Sequence, residues 1–337
     1  GGKLNLSGTL TVDPMTWNGG ATVNGLGTGL MDIPVGKTLN VTGAGSHTLD
    51  NIRVENAGTI NYNTSTSVYD RLRMQNGAVI NNAGVFDFKV NNYVDASGGT
   101  ATFNNAGTVV KSSGTGTAGF QNNGGTLGVS NDPTGVIDVN SGILNVSAAF
   151  SNSGEIAVGS TTTFRRLGGF TSSGVLRGTG TIDVGSGYAL TNTGLISPGA
   201  ATGDTTGTLS ILGNLIESSI SATEIELGGA ASGEYDQIVV SGAAALDGTL
   251  SLIMINGFVP SIDQRFDVFQ SGSRTGDFAA LNVLNSSPEV ALVPEWTAGN
   301  LILVGQANNP PVATDDSFIF MEDSGATIIN VLANDID

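Results

Sequence analysis

Residues 308–337 hold six carboxylates, Asp315, Asp316, Glu322, Asp323, Asp335 and Asp337, and no Lys or Arg. Calcium takes six to eight oxygen ligands, and clustered Asp with Asn side chains and backbone carbonyls is how proteins supply them. These six are the candidate metal ligands, with calcium as the cofactor to expect, although their spacing does not follow the EF-hand loop. The simpler reading is a solvated acidic segment that keeps the chain soluble.

Glycan-cleaving chemistry would need a carboxylate pair, or carboxylates with Arg or Lys, gathered on one face. Arg165-Arg166 and Arg71-Leu72-Arg73 are the basic clusters, and neither lies beside a paired acidic motif in the chain. Alternation in the second places both arginines on the solvent side of a strand. Glu224-Ile225-Glu226 puts two carboxylates on one strand face, which reads as a charged outer surface. His47, in Gly45-Ser46-His47-Thr48-Leu49, has turn-like neighbours and reads as an ordinary surface residue. Trp17 and Trp296 lie near opposite ends and read as cap or corner packing, with sugar-stacking platforms as the alternative. Thr64-Ser65-Thr66, Thr115-Gly116-Thr117 and Thr161-Thr162-Thr163 recur at uneven offsets, so β-propensity explains them better than a flat ice-binding lattice.

Composition narrows the classes further. The chain has 337 residues, 50 of them Gly, one His, no Cys, and 12 Lys+Arg against 29 Asp+Glu, for a net charge of −17. Such an acidic chain is repelled by phosphate backbones, so nucleic acid is not an expected partner. Without Cys there is no disulfide framework or thiolate nucleophile, and a single His excludes multi-His metal centres. No uninterrupted apolar run reaches about 18 residues, so no membrane-spanning helix is expected. The sequence opens on Gly1 without a charged-then-apolar signal segment, the expectation for a mature protein or an internal fragment. Hydrophobic residues at 39% suffice for a buried core, so the glycine content does not imply disorder.

What must position any such groups is set by a repeat. An apolar residue, a spacer, Asn, a spacer, Gly, a spacer and an apolar residue recur, as in Val54-Glu55-Asn56-Ala57-Gly58-Thr59-Ile60 and Phe103-Asn104-Asn105-Ala106-Gly107-Thr108-Val109. The repeated Asn stands at Asn56, Asn82, Asn105, Asn152 and Asn192, and the Gly at Gly58, Gly84, Gly107, Gly154, Gly174 and Gly194. The one long step, from Gly107 to Gly154, is filled by a degraded copy around Phe120-Gln121-Asn122-Asn123-Gly124. A period of about 20–26 residues is that of a solenoid. Between copies, Gly-x-apolar-x-apolar phrases such as Gly142-Ile143-Leu144-Asn145-Val146 alternate strictly and read as short half-buried strands. The expected fold is therefore all-β: a right-handed parallel β-helix with about three strands per coil, with a β-sandwich as its competitor. About 13–15 coils at about 4.8 Å per rung would make a rod of about 60–70 Å. Phe103, Phe150 and Phe170 should stack inside with the asparagines in line, each Asn bonding turn backbone and its counterpart in the next coil. Each Gly should supply a positive φ at the corner.

Asn192-Thr193-Gly194-Leu195-Ile196-Ser197-Pro198-Gly199, Thr206-Gly207-Thr208-Leu209-Ser210-Ile211-Leu212-Gly213-Asn214 and Tyr235-Asp236-Gln237-Ile238-Val239-Val240-Ser241-Gly242 resemble late coils of autotransporter passenger domains. Trp17-Asn18-Gly19-Gly20 with Gly36-Lys37-Thr38-Leu39-Asn40-Val41 resembles the start of large bacterial surface β-helix proteins. After Gln306, Asn308-Asn309-Pro310-Pro311-Val312-Ala313 reads as a linker, since consecutive prolines cannot sit in a central strand. Thr314-Asp315-Asp316-Ser317-Phe318, Glu322-Asp323-Ser324-Gly325 and Val331-Leu332-Ala333-Asn334-Asp335-Ile336-Asp337 resemble the opening of a cadherin-like, immunoglobulin-type repeat, too short here for a complete sandwich. The expected organisation is a β-helix over 1–305 (regular coils 10–200, late coils and cap 201–305), a linker at 306–313 and an incomplete cadherin-like repeat at 314–337. The resemblance implies a non-enzymatic structural or adhesive protein, secreted or on a bacterial surface, with calcium at repeat junctions. It further implies self-association, surface glycans or matrix as partners. A filament subunit using strand donation from the C-terminal segment, and a polysaccharide-degrading β-helix enzyme, are the alternatives.

Overall fold

The computed structural model describes residues 2–200, 205–285 and 289–308, so the double proline, the segment 314–337 and all six candidate calcium ligands lie outside the described residues. Alternation works locally as expected. In Ala78–Asn82 the side chains of Ala78, Ile80 and Asn82 are buried while Val79 and Asn81 lie outside. The same alternation runs through Ala222–Leu227, where Thr223, Ile225 and Leu227 are the buried set. Glycine- and asparagine-rich corners end each strand after a few residues, and the described residues contain strands and no helix.

The strands wind into a parallel β-helix. A representative coil runs Leu72–Gln75, Ala78–Asn82 and Val85–Phe88 before the next begins at Tyr93. Each strand pairs in parallel with its counterpart one coil on, for example Ile80 with Phe103 and Phe86 with Val109. Between Lys3 and Leu227 every coil has three separate strands. In the next two coils the first and second strands fuse into single long ones, Gln237–Leu246 and Arg265–Gly276. The third strands stack into a sheet of twelve. The described residues make twelve coils, fewer than the 13–15 expected, in a stack of about 50–60 Å. The difference is chain used elsewhere. Val290–Trp296 and Asn300–Ala307 form an antiparallel pair that joins Arg265–Gly276 instead of winding another coil.

The core is one continuous column of apolar side chains. Tyr62, Phe86, Phe88, Phe103 and Phe120 form one aromatic group, with ring centroids 4.7 Å apart for Phe103 and Phe120. Phe150, Phe164 and Phe170 form a second. Phe103, Phe150 and Phe170 do share one column, but only Phe103 is fully buried, the other two being partly exposed. Each buried Phe contributes about 1.5–3 kcal/mol through area removed from water. Trp17 packs into the first coils, edge-on to His47 at 5.1 Å. Trp296 stacks on Phe278 in the antiparallel pair, under the Arg274 guanidinium at 4.1 Å from its ring. No helix among the described residues is long and apolar enough to cross a membrane.

Candidate functional site

The repeated asparagines end the second strand of successive coils and point inward, where they form a ladder. Asn56 Nδ2 donates to Asn82 Oδ1 at 2.6 Å, Asn82 to Asn105 at 2.7 Å, Asn105 to Asn131 at 2.8 Å and Asn131 to Asn152 at 2.7 Å. Asn152 Nδ2 then donates to Ser172 Oγ at 2.8 Å. The second amide proton of Asn56, Asn82, Asn105 and Asn131 donates to a third-strand carbonyl, as from Asn82 to Thr108 at 3.0 Å, and that of Asn152 to the Gly154 carbonyl at 3.2 Å. The side-chain-to-side-chain donations thus all run toward the C-terminal coils. The first acceptor, Asn56 Oδ1, is buried without a hydrogen bond because Ile33 occupies its position one coil earlier. The last donor, Asn192 Nδ2, meets a carboxylate, Glu217 Oε2, at 2.8 Å. A carboxyl oxygen accepts in either protonation state, so Glu217 is a fitting terminus for a column whose outgoing groups are donors.

Two details of the sequence reading are corrected. The missing copy is Asn131 with Gly135. Asn122 ends a first strand on a different side of the coil, where its Oδ1 caps the Leu127 amide at 2.8 Å. The corner after Asn131 is two residues longer than its neighbours, which hides the copy. The second correction concerns Gly58, Gly84, Gly107, Gly154, Gly174 and Gly194, none of which has a positive φ. They are required by close approach: a Cβ on Gly107 would run into the carbonyl of Gly84, and one on Gly84 into that of Gly58. The amides of Ala106 and Gly107 both donate to the Asn82 carbonyl at 2.8 Å, drawing the corners together. Ser172 takes the Asn place in the copy that ends in Gly174, whereas Glu217, in register with Asn192, carried no signal in the repeat.

The charged groups are also arranged by coil register. Arg71 does not simply face solvent: its Nη1 lies 3.1 Å from the fully buried Asp95 Oδ2, and its guanidinium is 5.7 Å from the Tyr93 ring. Arg73 is in register with Asp95 on the neighbouring rung. Arg165 Nε lies 2.7 Å from Asp183 Oδ2. Both basic clusters therefore meet a carboxylate, each supplied by the next coil. His47 is wholly buried rather than superficial, because it is the first inward position of His47–Asp50. Neither ring nitrogen has a hydrogen-bond partner, and burial lowers its pKa, opposed by nearby carbonyls of Thr42 and Trp17 and by the Asp70 charge.

Three further buried ionisable groups went unread in the sequence. Lys111 points into the tube and closes a corner, its Nζ donating to the carbonyls of Ser113 and Gly114 at 2.7 Å each and to Asn91 Oδ1 at 3.2 Å. Burial pushes its pKa down to about 8, with Asp87 opposing. Burial pushes Glu217 up to about 7, against hydrogen bonds from Ser221, Asn192 and Thr223. Asp236 is likewise raised to about 7 by burial, while it accepts from the amides of Gly207 at 2.7 Å and Glu226 at 2.9 Å. Glu224 and Glu226 sit on the outer side of Ala222–Leu227 with Ile225 inward, as expected. The threonine pairs do not gather on one face: Thr117 and Thr163 begin first strands in one register row, whereas Thr64 ends a third strand.

On the outer side of the third sheet, Asp138, Glu155, Arg177 and Thr179 line an open groove of about 440 Å³, floored by Val136 and Ala157. Arg177 Nε is 3.2 Å from Glu155 Oε2 within it. Among the described residues, no group of three or more His, Cys, Asp or Glu is placed to hold a metal ion. Compared with protein-family models and with curated proteins, the chain matches none of them.

Proposed function

We propose that this chain is a non-enzymatic, extracellular structural rod of a bacterial surface or secreted protein, holding weak polar contacts to glycans or matrix. The observation that carries the reading is the unbroken stack of coils, with one apolar core and a ladder of amide hydrogen bonds along it. Chains of buried hydrogen bonds stiffen a structure that has no cross-links. Length, stiffness and a surface of Asn, Thr and Ser suit display and repeated contact better than turnover. Carboxylates Asp315 to Asp337 would take calcium at the junction with a following repeat, raising the melting temperature relative to a chelator-treated sample. The adhesive reading is tested by passing the protein over immobilised bacterial and matrix polysaccharides and matrix proteins. Saturable weak binding is the expected result, and absence of binding to every surface overturns it.

A filament subunit using strand donation from the C-terminal segment is the second reading. Light scattering at rising concentration separates the two, since a constant monomer mass excludes the filament.

A further inference from the structure

The two arginine clusters, over 90 residues apart in sequence, fall on one surface. On the outer face of the first strands, Tyr93 aligns with Gly119, Gly119 with Asn145, and Asn145 with Arg165. Arg71 stands beside Tyr93 at the head of this row, because the next residue, Leu72, aligns with Val94. Four rungs at about 4.8 Å put Arg71 and Arg165 about 19 Å apart. Burial raises the Tyr93 phenol above its usual range while Arg71 and Arg165 both oppose it, so one ring senses both clusters.

Each cluster has the same composition: two arginines and one carboxylate. Asp95 is taken by Arg71, and Asp183 by Arg165. Arg73 and Arg166 have no ion pair within 4.0 Å among the described residues, although Arg166 Nη1 donates to the Leu167 carbonyl at 2.5 Å. In a chain of net charge −17, this strip carries an excess of positive charge. Between the clusters lie Gln121 and Asn145, amides able to bond hydroxyls, and Gly119, which adds no side chain.

We infer that this face binds an acidic polysaccharide, a uronate chain lying along the rod with carboxylates on Arg73 and Arg166. A guanidinium fork matches a carboxylate in two parallel hydrogen bonds. Sparse charge with many hydroxyls fits two arginines that have no carboxylate of their own, separated by amides and a phenol. A nucleic acid, with a charge every about 1.7 Å of duplex, fits such a strip poorly and meets the repulsion of the whole chain.

This inference rests on the adhesive reading and narrows it. The test is calorimetry of the full chain with polygalacturonate, its methyl ester, neutral dextran, polyglutamate and single-stranded DNA. Binding to polygalacturonate is expected to weaken on the order of tenfold on esterification, and likewise in the R73Q/R166Q double variant. Both structural ion pairs remain in that variant, and circular dichroism checks its fold. R53Q, on a second strand, should bind as the unaltered protein does. Equal binding of the ester, unchanged binding by the double variant, or equal binding of polyglutamate or DNA overturns the assignment. Binding of dextran without polygalacturonate overturns it too, yet leaves the adhesive reading standing.

Discussion

The coils from Arg53 to Val158 and those from Thr163 to Met254 share one architecture but handle the same inward polar position differently. In the first group, Asn56, Asn82, Asn105, Asn131 and Asn152 pass hydrogen bonds from coil to coil without a gap. In the second the column breaks. Ser172 accepts from Asn152 but is too short to reach on, and Asn192 Oδ1 turns instead to the Gly194 amide at 3.0 Å. It then ends at Glu217, with a second buried carboxylate, Asp236, two strands later. The lesson is that a buried polar column is an accounting of donors and acceptors. An amide does both and spans the gap to the next coil, so it can repeat; a serine hydroxyl also does both but is too short to carry the run on, and an ionised carboxylate only accepts.

The sharpest way to break the comparison is inside the regular group. Asn105→Ala leaves Asn131 Oδ1 without its donor and Asn82 Nδ2 without one acceptor, costing about 3 kcal/mol. Gly107→Ala forces a Cβ against the Gly84 carbonyl and should cost as much. Ser172→Ala, at the existing break, removes only an acceptor and should cost about 1 kcal/mol. Urea denaturation of the three variants checks this order. Equal losses at 105 and 172 would show that the column is not energetically continuous.

Next in size is the pH response of the late coils. Glu217 rises from 4.5 to about 7, so the folded state holds its proton more tightly than the unfolded chain does. Its contribution is fully present below pH 4.5 and is lost as pH rises through about 7, a swing of roughly 3 kcal/mol. Asp236, raised from 3.8 to about 7, acts in the same direction. Hydrogen exchange resolved by segment should show 208–254 opening more readily at alkaline pH, and Glu217→Gln should flatten that dependence.

The early coils should respond with the opposite sign and less widely. The folded-state pKa of His47 is depressed below 6.5, so its contribution is present above 6.5 and is lost as pH falls. Acidification should loosen the coils around Trp17 and His47. His47→Phe keeps the ring contact and should remove the effect, which the same exchange measurement reads.

These contrasts also explain what could be read from the sequence. Asn and Gly recur visibly because two constraints act on every coil at the same place: an inward amide that must both give and accept, and a corner too tight for a Cβ. Asn131 escaped because Asp132-Pro133-Thr134-Gly135 lengthens its corner by two residues without moving the side chain. Burial of His47 was masked by its glycine and serine neighbours, although it takes the first inward step of a strand. The pairs Arg71 with Asp95 and Arg165 with Asp183 depend on register between coils of unequal length, which spacing along the chain does not disclose.

The smallest expected effect runs the other way, toward repair. Ser172 sits at the end of Phe170–Ser172, in the place that Asn152 occupies one coil earlier and Asn192 one coil later. An amide there could accept from Asn152 and donate onward to Asn192 Oδ1, joining the two halves of the column. Ser172→Asn should therefore stabilise the protein by about 1 kcal/mol, the net worth of one added buried hydrogen bond. The gain should vanish in an Asn192→Ala background, where the new donor has no acceptor. A double-mutant cycle measures this: coupling between 172 and 192 means the break is a missing side-chain atom, whereas additivity means that the late coils are spaced differently from the early ones.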